Sequence, residues 1–420
     1  MKWMSGSTLA AGLLLSCSFC STALAQEETA AEADTAHVTH AQLLRVLEGY
    51  TEQIQSLTND LDKLKKIKFS GYVQARVENG EASSDSVKVA GSPYAVTTAN
   101  LNRFYVRRAR LKMTYDTGAL SQAVVYVDGG ADRTVRLLEA YVTLLDPWTA
   151  MHDHQLTIGQ INIPFGYEIE RSSGARELPE RSRAENVLFS GERDRGARLV
   201  SQWTPRLQTT VGLFNGGGVN SADFPATDPT RGKDFLGRVR WSQGTIDVAG
   251  SYYFGRNIVP LTGADVMTDK ERIGFDAQAY YSMPALGGGT VRAEWYLAHE
   301  VNPDSVKALV VAPTTGNPVR LLKPGANTGH LATDASGGYV MWVQNVGDRA
   351  QGVVRWDTWD PNVDADHDQY SRWSAGANWF FDGFTRVTLS YDAIRTETRT
   401  GSKWTDPQDN LWTLQVQHKF

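Results

Sequence analysis

The sequence predicts an all-β chain: an antiparallel transmembrane β-barrel of about sixteen strands, preceded by a short N-terminal coiled-coil helix. Three observations predict it. Apolar and polar residues alternate with a period of two through segment after segment, short connections alternate with long ones, and the last segment alternates out to Phe420. A strand with one apolar and one polar face is what a wall between lipid and water requires.

Taken from the N-terminus, residues 1–25 read as a secretory signal peptide. Lys2 supplies the positive start, Leu9 to Phe19 is a short apolar run, and Ala23-Leu24-Ala25 is a small-x-small cleavage site. The run is too short to cross a bilayer as a helix. Leu14-Leu15-Ser16-Cys17 offers a competing lipoprotein-type site. Cys17 and Cys20 both fall in this leader, so the mature chain has neither disulfides nor a thiol nucleophile or cysteine metal site. Residues 26–42, rich in Ala, Glu and Thr, are expected to be flexible. In 43–66, Leu43, Leu47, Tyr50, Ile54, Leu57, Leu61 and Leu64 follow a 4-3 spacing that puts them on one helical seam. This predicts a periplasmic coiled coil; an amphipathic helix lying on the barrel end is the alternative.

The barrel domain is expected over 67–420. Phe69, Gly71, Val73, Ala75 and Val77 alternate with Lys68, Ser70, Tyr72, Gln74 and Arg76, and similar runs recur about sixteen times. Short turns are expected at Asp116-Thr117-Gly118, Thr204-Pro205-Arg206, Ser242-Gln243-Gly244, Leu286-Gly287-Gly288, Gly347-Asp348 and Asp382-Gly383. Long connections are expected at 78–100, 162–194, 215–234, 256–271, 299–337, 358–371 and 396–409, with 129–134 the short exception. Such sorting fits periplasmic turns and external loops. Trp148, Trp203, Trp241, Trp356 and Trp379 at strand ends suit the membrane interface. With 12 Trp, 16 Tyr and 38 Gly and a formal charge of −5, the composition suits an exported barrel and argues against nucleic-acid binding.

Several motifs resemble the phosphate-selective porin O and P family. Gly159-Gln160-Ile161-Asn162-Ile163-Pro164-Phe165-Gly166-Tyr167-Glu168 is similar to its fifth strand and third-loop mouth. Arg107-Arg108-Ala109-Arg110-Leu111, Glu139-Ala140-Tyr141-Val142 and Asp360-Pro361-Asn362 resemble other segments of it. Phe420 matches the terminal aromatic by which outer-membrane barrels are recognised for assembly, although His418 stands where Tyr is usual. The resemblance implies an outer-membrane porin of a Gram-negative bacterium, with its N-terminal coil in the periplasm. It implies passive uptake of small anions, phosphate or polyphosphate among them. The partners expected are lipid and lipopolysaccharide and the barrel-assembly machinery; a self-associating coil at 43–66 would add two further copies in a homotrimer. No enzyme activity, metal or cofactor is implied.

Strand alternation places Arg108, Arg110, Lys112, Arg198, Arg238, Arg240, Arg292 and Arg355 on the lumen face as a candidate anion path. Guanidinium groups suit phosphate because their planar fork matches its oxygens. The 162–194 connection is the candidate constriction loop, with Arg171, Arg176, Arg181, Arg183, Arg193 and Arg195. From Glu168 to Arg198 there are seven arginines, seven acids and no lysine. That balance suggests ion pairs bracing the loop against the wall rather than a bare positive ring, and makes a general diffusion porin the alternative. A tethering role for the coil and an enzymatic barrel are the more distant readings. The aspartates of 360–368 fail the EF-hand spacing at Ala365 and Ser371, which leaves a solvated loop.

Overall fold

A computed structural model describes residues 40–81, 101–130, 134–219, 228, 230–259, 265–302, 306, 309–311, 321–323, 327, 329, 331–400, 403–407 and 409–420. The expected signal peptide and the residues after it up to 39 lie outside the described residues. Helix α1 (His40–Lys65) starts inside the segment expected to be flexible, because His40, Ala41 and Gln42 contain no residue that breaks a helix. Leu47, Tyr50, Ile54, Leu57, Leu61 and Leu64 are all more than half exposed among the described residues.

Sixteen strands close the barrel: β1 (Ile67–Gly80), β2 (Arg103–Asp116), β3 (Ser121–Asp128), β4 (Arg136–Leu145), β5 (His154–Asn162), β6 (Arg193–Gln202), β7 (Leu207–Phe214), β8 (Asp234–Gln243), β9 (Ile246–Val259), β10 (Val266–Met283), β11 (Gly287–Val301), β12 (Ala332–Val346), β13 (Ala350–Asp360), β14 (Tyr370–Phe380), β15 (Thr385–Thr396) and β16 (Leu411–Lys419). Each pairs antiparallel with its chain neighbours, and β1 pairs with β16. A closed ring satisfies every ladder group without presenting an edge to lipid. Among the described residues no helix is long and apolar enough to cross a membrane.

The alternation is inside-out relative to a soluble protein. In β1, Tyr72, Gln74, Arg76 and Glu78 are buried, while Phe69 and Val73 are exposed. In β9, Asp247, Ser251 and Tyr253 are buried while Val248, Tyr252 and Phe254 are exposed. Apolar side chains therefore face outward, where lipid would solvate them, and polar ones face the lumen.

Three connections are shorter than expected. Strands β9 and β10 stay paired out to Val259↔Val266, so the connection expected at 256–271 is 260–265. Those expected at 299–337 and 358–371 shrink to 302–331 and 361–369. Ladder pairing needs no apolar face beyond the lipid, and polar pairs such as Arg256–Asp269 (3.7 Å) carry β9 and β10 on. Two-residue ladders at Val310–Val311 with Leu321–Leu322, and three-residue ones at Thr398–Thr400 with Lys403–Thr405, decorate two of the long connections.

The ring is sealed at Phe420. Its N–H donates to the Gly71 carbonyl (3.1 Å), and the Gly71 N–H donates to its carbonyl (2.9 Å). Its ring covers Gly71 so closely that a Cβ there would lie 2.5 Å from Cζ and 2.3 Å from the Arg110 carbonyl oxygen. Gly71→Val should therefore cost about 1–3 kcal/mol through overpacking. The check is the urea midpoint of the folded, heat-modifiable form, which should fall; an unchanged midpoint would show that the seam tolerates a side chain.

Candidate functional site

A barrel this wide has no core of its own, and residues 163–192 supply one by folding into the lumen. The entry turn depends on Gly166, whose φ of +64° favours glycine and whose added Cβ would lie 3.1 Å from Glu294 Oε2. That turn drives Phe165, fully buried, between Tyr296 (6.0 Å between centroids) and Phe189 (4.8 Å). Ile161, Ile163, Ile169, Ala184 and Leu188 join Phe214, Leu236, Tyr253, Ala298 and Trp359 in the same apolar cluster. Leu178 packs separately with Tyr339, Met341, Val343 and Val353. The loop's apolar face is thus laid on the wall from β7 to β13.

Its polar backbone is held by carboxylates. Glu294 Oε1 accepts the N–H groups of Tyr167 (2.6 Å) and Glu168 (2.8 Å). A short helix α2 (Arg183–Leu188) begins at Ser182, whose side chain makes no capping bond. Two carboxylates take its place: Glu168 Oε2 accepts the Ser182 N–H (3.0 Å) and Asp357 Oδ1 the Arg183 N–H (3.0 Å). Negative charge at a helix start satisfies its free donors.

The expected loop arginines divide by role. Arg181, expected at the constriction, is instead buried inside the loop: it donates to the carbonyls of Glu168, Ile169 and Arg171 and pairs with Glu185 (3.1 Å) and Glu192. Arg193 and Arg195 lie outside the loop, in β6, because that strand begins at Arg193. Arg195 is in register with Gln160 and on the face of Ala197 and Leu199. Arg171 bonds Tyr167 Oη and Glu177 (2.5 Å). Arg183 is exposed on α2, 5.2 Å over the Tyr370 ring, and Arg193 reaches Glu139 (3.0 Å). Arg176 is buried, and its Nε and Nη2 have no partner among the described residues. Burial, and then Arg181 close by, push its guanidinium down to about 9.

All eight strand residues of the expected anion path fall on the lumen face, and most carry a partner. Arg110 pairs with Asp128 (2.8 Å), Arg240 with Asp247 (3.1 Å), and Arg292 with Glu177 (2.9 Å). Arg238 binds Asp276 through both terminal nitrogens (2.6 and 3.2 Å). Arg355 touches Glu168 and Asp357, at 3.3 Å each. Lys112 sits 6.0 Å over the Tyr126 ring, and Arg198 lies level with Thr157 and Gly212. Arg108 donates to Gln74 (3.0 Å) and Glu180 (3.4 Å).

Between the loop and β2–β4 a cavity of about 400 Å³ remains. Arg107, Arg108, Arg110, Arg136, Arg176 and Arg193 line it, against Asp128, Glu180 and Glu192. Strict alternation misses Arg107, which it assigns to the lipid face. The register slips between Gln74 and Ala75, leaving Arg107 without a cross-strand partner, and its Nε donates to Glu180 (2.9 Å). Three arginines in four positions were the available signal, since an arginine facing lipid is costly. Arg76, which alternation places on the polar face of β1, is not among the anion-path candidates. It is buried and bonds Glu180 (2.6 Å) and Gln415 (2.7 Å). The Gly-Gln motif acts locally. Gly159 (φ +139°) lets β5 approach the β4 backbone, and the Gln160 amide caps the carbonyls of Leu137 and Leu138 beside a second register shift. No group of three or more metal-ligating side chains occurs among the described residues, those of 360–368 included.

No family model and no curated protein matches this chain in sequence. Solved structures do match in shape. An outer membrane protein of Vibrio cholerae, OmpT in trimer form, aligns with TM-score 0.55 and 12% identity over 84% of this chain and 99% of its own. The outer membrane channel DcaP of Acinetobacter baumannii gives 0.55 and 13% over 84% and 97%. An anion-selective porin from Comamonas acidovorans gives 0.54 and 12% over 84% and 99%. The chain has the closed-barrel fold of these outer-membrane channels.

The loop contains a proton-dependent contact. Glu185 is fully buried; burial, opposed by Arg181 and reinforced by Glu168, pushes its carboxyl up to about 7. Because the folded value lies above the ordinary one, its contribution is complete in acid and is lost as pH rises through 7. Loop amides should exchange faster at pH 8 than at 5.5, beyond intrinsic exchange, by on the order of 2 kcal/mol. Glu185→Gln should remove the difference, and a wild-type loop indifferent to pH would refute it.

Proposed function

We propose that this protein is an outer-membrane porin of a Gram-negative bacterium, passing small solutes by diffusion and favouring anions. The observation that carries this reading is the cavity beside the inward loop, where six arginines face three carboxylates. In a narrow, partly desolvated passage such a surplus raises the local concentration of anions and lowers that of cations. Membership of the phosphate-selective porin O and P family, and phosphate or polyphosphate as the solute, are the finer form of this proposal. A general diffusion porin is the second reading, favoured by the pairing of Arg110, Arg238, Arg240 and Arg292 with carboxylates. The signal peptide, insertion through the barrel-assembly machinery at Phe420, and contact with lipopolysaccharide belong to the same proposal.

The test is the reversal potential of the purified protein in a planar bilayer across a chloride-salt gradient, followed by addition of phosphate. Anion selectivity is expected, and Arg108→Gln should reduce the anion-to-cation permeability ratio about two- to threefold by removing one of several charges. Cation preference in the wild type would refute the anion reading.

The exposed α1 seam supports a homotrimer joined by a coiled coil with the helix in the periplasm. Burying each seam residue is worth about 1.5–3 kcal/mol. Ile54→Asp combined with Leu61→Asp should lower the temperature at which the trimer dissociates in detergent, measured by light scattering. Dissociation at the wild-type temperature would remove the coil from the assembly.

A further inference from the structure

We propose that Glu180 is a tethered counter-anion: it occupies a guanidinium cradle on the lumen wall that small oxyanions take over from it during passage. The inference rests on the anion reading above and names the site and the solute chemistry, an anion that offers two acceptor oxygens to planar donor forks.

Glu180 differs from the loop carboxylates that brace structure. Glu168, Glu177 and Glu185 are buried, and each serves the loop's own packing or its attachment to β11 and β13. The Glu180 side chain keeps 31% of its surface open and lines the cavity. Three wall arginines converge on it. Oε1 accepts Arg76 Nη1 at 2.6 Å and Arg107 Nε at 2.9 Å, and Oε2 accepts Arg108 Nη2 at 3.4 Å. Glu78 also lies 3.7 Å from Arg76, so two carboxylates answer three guanidinium groups and one positive charge is left in excess at that point. Arg176 adds a fourth nearby, and Arg108 Nε and Arg176 Nε and Nη2 have no partner among the described residues.

The two carboxylate oxygens stand where two oxygens of a bound phosphate or carboxylate solute would stand. Guanidinium forks bind both anions through the same paired bonds, so a solute can replace Glu180 group for group. Tethering has a kinetic use. A bare cradle of this charge would hold an oxyanion too long for passage, whereas a resident competitor raises the apparent dissociation constant by the reciprocal of the fraction of time it leaves the site free. Other neighbours keep the cradle in place when Glu180 swings away: Arg76 is held by Gln415 (2.7 Å) and by the Pro179 carbonyl (2.8 Å), and Arg108 by Gln74 (3.0 Å).

The experiment uses the full-length protein in planar bilayers, with potassium chloride as carrier and inorganic phosphate as probe, comparing wild type, Glu180→Gln and Glu180→Asp. Heat-modifiable migration first establishes that each variant is folded. Glu180→Gln should be blocked by phosphate at a concentration lower by about tenfold or more, the value of a lost charge-assisted competitor, and should shift the reversal potential toward anion selectivity. Glu180→Asp, which keeps the charge but withdraws it by one methylene, should fall between them; if the glutamine variant does not fold, it carries the test alone. A glutamine variant with larger or noisier conductance and unchanged phosphate block would show a brace and overturn the inference. The wild-type reversal potential alone tests the anion reading, so the two failures are told apart: an anion-selective wild type with indifferent variants sinks only the counter-anion.

Discussion

The structure depends on one constraint: much of the lumen of this sixteen-stranded barrel is polar, so the backbone of a loop that enters it needs charged partners beside its apolar packing. Glu168, Glu294 and Asp357 meet this need by accepting backbone N–H groups of the loop. Arg355 and Arg372 hold Asp357 in turn, at 3.3 and 2.8 Å. Buried charges of this kind add little net stability compared with apolar packing, but removing one strands its partner. The network therefore fixes where the loop lies more than it strengthens the barrel.

The loop's two faces set where the cavity lies. Its apolar side chains meet Phe214, Leu236, Tyr253 and Trp359, residues that would be out of place in a water-filled lumen without a cover. Laying that face on β7–β13 closes one side of the barrel. The open side is bounded by β2–β4 and by the loop's Arg176 and Glu180. The charge lining the remaining cavity is therefore set by which wall the loop leaves uncovered as much as by the loop itself.

Much of this was legible in the sequence, because a period of two is unambiguous where one face meets lipid. Sixteen strands, their order and the inward loop follow from alternation and connection length. Errors lay where alternation stops being informative. The reach of β9 and β10 beyond the lipid leaves no apolar signature, so 256–271 read as loop. Arg107 was lost to a register slip, which a pattern based on strict parity cannot express. Within 163–192 no period exists. Arg181 and Arg176 look alike in sequence, yet one is enclosed by carbonyls and carboxylates while the other borders the cavity.

Charge balance in a loop is for the same reason a poor guide to what a pore selects. Seven arginines and seven acids over 168–198 suggest neutrality. The acids, however, are mostly engaged in interior contacts. Glu185 faces Arg181, Glu168 and Glu177 hold Arg355 and Arg292, and Asp194 accepts the N–H groups of Arg195 and Gly216. Interior pairs contribute little field at a distance, because each acts as a short dipole. What faces the cavity is the remainder, and there Arg107, Arg108, Arg110, Arg136, Arg176 and Arg193 stand against Asp128, Glu180 and Glu192. The excess is positive although the chain as a whole is acidic.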